Sequence, residues 1–254
     1  MKSDLLMNCM HERLESVEKH LSAYREDRES ERLHLLRVDI KKIKAVLSFA
    51  ESIQHQKYPV NRLKSLFHKA GAVREMDIFL LLLVAIPGIP EEFILQLEKE
   101  KKKRKDLFEK TITGYIKSVR NMNERMCLHQ ETVRKQTIIS YFKAEMHKVR
   151  KKISTKDRKE MHQLRMRLKK MMYLHDALPA KIQDELKLDT VHINKLQKKA
   201  GDWHDTYTTI EFLSRQRLKI KMTEYISALK EKEKKQFKGL TKKLNSNDFW
   251  LKKQ

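Results

Sequence analysis

The 254-residue chain is poor in the residues that strands, disulfides and base-stacking surfaces need. It has five glycines and four prolines. Turns and strand bends would use more, so the chain reads as all-helical. Its two cysteines, Cys9 and Cys127, show neither metal spacing nor a disulfide framework, which fits a reducing cytoplasm. The longest apolar run, "IFLLLLVAI" at 78–86, is too short to span a bilayer. The N-terminal "MKSDLLMNCMHERLE" is broken by charges too early for a signal peptide. A soluble, cytoplasmic protein is the expectation. Phe, Trp and Tyr make up only 7% of the residues, few for a surface that stacks bases. The sequence also lacks a Gly-rich phosphate loop, a nucleophile–base pair and a Cys/His metal set, so no catalytic residue, cofactor or metal is expected.

Positive charge is abundant. The chain carries 57 Lys+Arg against 34 Asp+Glu, a formal net charge of +23. Solubility needs far less, and an excess of this size implies a polyanionic partner. Charge alone does not choose between a nucleic acid, an anionic membrane and an inorganic polyanion.

Apolar spacing predicts helices at about 4–23, 28–56, 59–85 and 91–126, with "PGIP" at 87–90 ending the third. The pattern then restarts, with helices at about 131–152, 156–177, 181–217 and 220–245, the seventh broken near 187–190. Two segment pairs repeat in the same order. "LHLLRVDIKK" (33–42) matches "MHQLRMRLKK" (161–170) at an offset of 128, and "LKSLFHKAGAVRE" (63–75) matches "INKLQKKAGDWHD" (193–205) at 130. Gly71 and Gly201 fall at equivalent places inside helices, where glycine costs about 1 kcal/mol relative to alanine. A neighbouring helix approaching closely at both is the expectation. The fold class is therefore all-α: two similar four-helix units, about 1–127 and 128–254, packed as one domain about a pseudo-two-fold axis.

The repeated segments carry a histidine-led basic ladder. His34, Arg37, Lys41 and Lys44 lie one position after the apolar stripe Leu33, Leu36, Ile40 and Ile43. At about 100° per residue they run along the edge of the buried face. His162, Arg165 and Lys169 stand likewise against Met161, Leu164 and Leu168. A basic edge stripe on each of two related helices can line a groove between them.

These segments resemble the CHAD family, the conserved-histidine α-helical domain. "LHLLRVDIKKIKAVLSF" and "MHQLRMRLKKMMYLHDAL" are similar to its paired His-x-x-Arg segments, and "AGAVREMDIFLLL" and "AGDWHDTYTTIEFL" to its paired segments following Leu-Gly. The four segments occur in the right order over nearly the whole chain. The resemblance implies a bilobed helical fold with a basic central channel that binds inorganic polyphosphate without catalysis, in the cytoplasm and at polyphosphate granules. By position it points to His34, Arg37, Lys41, Lys42, Lys44 and Arg74 in the first half. In the second half it points to His162, Arg165, Lys169, Lys170 and His204. Met172 stands where an arginine commonly precedes the tyrosine, here Tyr173, and His204 stands where asparagine is usual. Lysines replace several arginines, giving point charges in place of a bidentate fork.

The physics suits that ligand. Polyphosphate offers dense charge and no bases to read, so its site needs many cations and few aromatics. An RNA- or DNA-binding helical protein is the alternative that charge alone supports; the low aromatic content and the lack of a recognition motif count against it. A phosphoryl-handling or metal-dependent enzyme using the histidines is the second alternative, with no partner residue evident for either role. Glu75, Asp77 and Asp205 are carboxylates able to orient neighbouring bases. "KEKKKRK" at 99–105 reads as a solvated face. "EKEKK" at 231–235 matches Glu-x-Glu-x-Lys of triphosphate tunnel enzymes, but its surroundings read as helix, where those side chains splay apart.

Overall fold

The computed structural model describes residues 3–126, 133–152, 157–215 and 223–245. Among these residues the chain forms nine helices and no strand. In the first half these are α1 (Ser3–Asp27), α2 (Ser30–Gln54), α3 (Asn61–Val84) and α4 (Glu91–Arg125). In the second they are α5 (Lys135–Arg150), α6 (Arg158–Asp176), α7 (Ala180–Leu186), α8 (Thr190–Arg215) and α9 (Thr223–Asn245). The expected break in the seventh helix is real. Lys187 closes α7 in the left-handed conformation at φ 49°, so the second half carries one short helix more than the first. Cys127 lies outside the described residues, and Cys9 is a free thiol.

Each helix is set by its apolar period. Leu33, Leu36, Ile40, Ile43, Leu47 and Ala50 of α2 are all buried, as the 3-4-3-4-3 spacing requires. On α6, Met161, Leu164 and Leu168 do the same, and Asp157 caps its start by accepting from the Lys159 amide at 2.8 Å. Pro90 opens α4, and Gly88, at φ 80°, makes the turn before it.

Four helices close a ring. α2 packs on α3 and on α6, and α8 packs on α6 and on α3. Two of these contacts join the halves, α2 with α6 and α3 with α8. α1 backs α2, while α4 packs on both α1 and α3. α5 packs on α6, and α9 on α8. The main apolar core, with fully buried Leu36, Ile40, Phe142, Leu168 and Trp203, draws on both halves. A smaller cluster ties the far ends of α3, α4, α8 and α9, with Phe79 stacked on Phe212 at 4.3 Å.

Outside the ring, buried acids are paired. Asp39 accepts from Ser16 at 2.7 Å and Arg13 at 3.3 Å, tying α1 to α2. Glu145 accepts from Lys148 at 2.8 Å and Arg167 at 3.0 Å, tying α5 to α6. Glu233, from the "EKEKK" stretch, lies on helix α9 and is a structural acceptor. It takes both Arg158 nitrogens at 2.8 Å and the Trp203 indole N–H at 2.7 Å.

The basic run at 99–105 is only partly a solvated face. Lys102 and Lys103 are exposed. Lys101 pairs with Asp77 at 2.6 Å, Arg104 donates to the Ala72 carbonyl at 3.1 Å, and Lys105 donates to the Arg28 carbonyl at 3.1 Å. Three of its cations therefore fasten α4 to its neighbours.

Candidate functional site

The basic ladders meet inside the ring. On α2, Arg37 and Lys41 are partly buried, with exposed His34 and Lys44 at the two ends. On α6, His162, Arg165 and Lys169 are partly buried. α3 adds Arg74, and α8 adds His204.

Two of the eleven expected residues face elsewhere. Lys42 lies toward α1, close enough to act on the Cys9 thiol. Lys170 sits over the Tyr141 ring of α5, 5.5 Å from its centroid, near Glu145. Each follows its ladder lysine by one residue, and 100° of helical turn carries it toward the first helix of its own half.

Of the two matching glycines, Gly71 is required by a side chain and not by a neighbouring helix backbone, whereas Gly201 has room for a β-carbon, so the close approach expected there is not found. The Arg37 guanidinium lies across α3 where a β-carbon at Gly71 would overlap it, and its Nη1 donates to the Phe67 carbonyl at 3.2 Å. A β-carbon at Gly201 would stand 3.9 Å from Arg165 Nη2. In both halves the arginine of the His-x-x-Arg segment is laid against the glycine-bearing helix.

Phe67 was missed by sequence reasoning. Its ring lies under three cations of the first ladder: the Arg37 guanidinium carbon at 4.2 Å, Lys41 Nζ at 5.5 Å and Lys44 Nζ at 5.9 Å from the centroid. The available signal was its position one turn before Gly71, on the face that the arginine crosses. In the second half, the His162 and His204 rings stand 4.5 Å apart, and the Nδ1 atoms of both are buried without a hydrogen-bond partner.

The electrostatics are those of crowded cations. Among the described residues, none of Arg37, Lys41, Arg165 and Lys169 forms an ion pair. Burial first, then Lys169, Arg37 and Arg165, push Lys41 down to about 7. Burial, then Arg165, bring Lys169 to about 8. The two ladders thus act on each other across the α2–α6 contact. Burial, then Arg165, His162, Lys169 and Lys41, push His204 down to about 3. Burial and Arg165 lower His162. Partial burial of the ring, opposed by Glu31 and joined by Arg74 and Lys41, lowers His34. His204 is therefore neutral at pH 7 in the free protein, and His34 and His162 are shifted in the same direction.

Of the candidate acids, Asp77 is committed to structure, 2.6 Å from Lys101 and 3.8 Å from Arg74. Glu75 is exposed. Asp205 faces the cations. Met172, at the position of Lys44 in the first ladder, is buried in the core, so the second ladder is one cation shorter. Among the described residues, no three His, Cys, Asp or Glu side chains are grouped to hold a metal ion, and no helix is long and apolar enough to cross a membrane. A cavity of about 420 Å³ between the α2–α3 turn and the end of α4, lined by Tyr58, Arg62, Met122 and Arg125, is separate from the cations.

Fold and site together define a helical bundle that gathers unpaired cations where its two halves meet. Residues 8–214 match the family model of the CHAD domain. The chain belongs to the CHAD family. It is similar to the crystal structure of the CHAD domain from the plant Ricinus communis, with a TM-score of 0.68. That likeness covers 98% of this chain and 93% of that one, at 14% identity. No curated protein matches the chain. The family match ends at 214, just before the end of α8; α9 lies beyond it and still supplies Glu233 to the core.

Proposed function

We propose that this chain binds inorganic polyphosphate between its two basic ladders and does not alter it chemically. One observation supports this above the rest. Arg37, Lys41, Arg165 and Lys169 are partly buried, lie on facing helices and lack ion-pair partners among the described residues. A bundle without a ligand has no use for such a group, because burying unpaired charge is costly. Elsewhere the same chain pairs its buried charges, at Asp39, Glu145 and Glu233.

A flexible anion with closely spaced charges can satisfy both ladders at once. Neutral His162 and His204 can each donate one ring N–H to phosphate oxygen, and Arg74 can supply a further contact from α3. Phosphate oxygens need no base-stacking surface, and the Phe67 ring beside the first ladder is covered by cations.

The test is a titration of the intact chain with long-chain polyphosphate at several salt concentrations, with single-stranded RNA as competitor. Polyphosphate should bind with a steep inverse salt dependence from counterion release and should be recovered at its original length. RNA should displace it only in large excess. Preferred binding of RNA would favour the nucleic-acid alternative, and chain shortening would favour an enzyme.

A further inference from the structure

Two acids act on the cation cluster: exposed Glu75, on Arg37, and partly buried Asp205, on both ladders. Thr209, fully buried, donates to the Asp205 backbone carbonyl at 2.7 Å and Thr208 at 3.1 Å, which fixes the place of Asp205 on α8. It stands one helical turn after Gly201, on the face against which Arg165 is laid. It is partly buried, and among the described residues it makes no ion pair within 4.0 Å. Cations surround it at longer range: Arg37 and Lys41 on α2, Arg74 on α3, and Arg165 and Lys169 on α6, with His204 and Asp202 beside it on α8.

The other buried acids sit against their cations. Asp205 stands back from several and closes on none. Its counterpart 130 residues earlier, Glu75, is also one turn past a glycine crossed by an arginine, but it is exposed.

We infer that Asp205 is a built-in counter-anion, a carboxylate that restrains repulsion among the ladder cations in the free protein and opposes the ligand once polyphosphate enters. The inference rests on the polyphosphate reading and deepens it: the affinity of the site is set partly by an internal competitor. Burial and the cations pull the Asp205 carboxyl in opposite directions, burial prevailing and raising it. Bound phosphate beside it would raise it further.

The test is D205N, nearly identical in shape, with the exposed Asp202→Asn as control. Affinity for long-chain polyphosphate at pH 7.5 and the melting temperature with and without saturating polyphosphate are measured. D205N should bind roughly tenfold tighter, the effect of one charge about a helical turn away in a half-screened site. Its free form should melt below wild type, and its saturated form at or above it. The Asp202→Asn variant should change both by much less. A D205N that binds no tighter, or that melts lower both free and saturated, overturns the inference and leaves the polyphosphate reading standing. A second readout needs no variant: a ¹³C titration of the Asp205 carboxyl in the wild type should move to higher pH when polyphosphate is added. An unmoved midpoint overturns the inference. Wild type that fails to bind polyphosphate at all ends both proposals.

Discussion

The two ladders share a pattern but not a degree of order. In the first, Arg37, Lys41 and Lys44 share the Phe67 ring, and Arg37 is further held by the Phe67 carbonyl at 3.2 Å. In the second, the position 130 residues after Phe67 is Gln197, which donates to the Leu168 carbonyl at 3.3 Å and offers no ring. There the Arg165 Nε is buried without a partner, and Met172 is in the core. The first ladder is longer and preorganised. The second is shorter, less tightly held and accompanied by two close histidines. A repeat can thus keep the placement of its cations while their supports diverge. Preorganised groups lose less freedom when a ligand arrives, so the first ladder should contribute more per charge.

Removing the cations should have the largest effect. R37A/K41A and R165A/K169A should each weaken long-chain polyphosphate binding by about a hundredfold or more, since each charged contact contributes ~1.5–3 kcal/mol. The first pair should cost more than the second. Lys102→Ala with Lys103→Ala is the control, being exposed and outside the ring; Lys101 is unsuitable because it holds Asp77. Titrations at one salt concentration, with helicity checked by circular dichroism, decide this. Equal losses from the control pair would leave only a diffusely basic surface.

The next effect is on pH. Lys41 at about 7 and Lys169 at about 8 lie below the ordinary lysine value of 10.5. The unfolded chain therefore holds more protons than the folded one between those values and 10.5, and stability rises with pH across that window. His204, at about 3 against 6.5, adds the same sign below pH 6.5. The melting temperature of the free protein should climb by several degrees from pH 5 to pH 9, as followed by circular dichroism. A bound polyanion favours the protonated lysines, so affinity should fall as pH rises through 7 to 9 at fixed ionic strength. Flat profiles in both measurements would mean that the cations are not crowded.

The smallest effect sharpens the contrast between halves. F67L should weaken polyphosphate binding by roughly fivefold through lost cation–π support. Gln197→Leu, at the equivalent position, should change binding little. Equal effects would erase the asymmetry. The readout is affinity together with melting temperature, because lost packing alone would lower the latter without a matching loss of affinity.

The helical periods made much of this legible in the sequence. The α2 stripe from Leu33 to Ala50, the stop at Pro87 and Pro90 and the break near Lys187 are local signals, and local structure obeys them. The family was legible in four short segments whose order and offsets no single motif supplied. The site was only partly legible. A helical stripe says which residues share a face but not which neighbour turns the next one away, so Lys42 and Lys170 needed α1 and α5 in place. Gly71 signalled a close approach, but whether by backbone or by guanidinium depended on the crossing of α2 with α3, and the matching Gly201 has no such approach. Phe67 follows buried Leu66 by one position on α3, and nothing in the sequence distinguishes a ring under cations from a ring at the edge of the core.

If both ladders line a single site, binding of polyphosphates of graded length to the wild-type chain, at one salt concentration, will show it. A chain long enough to touch both ladders makes its second contact intramolecularly and gains from effective concentration. Affinity per molecule should therefore rise steeply with length until both ladders are reached, then climb only slowly through overlapping registers. A rise that is shallow and proportional to length throughout, with no break, would mean that the two ladders bind separately.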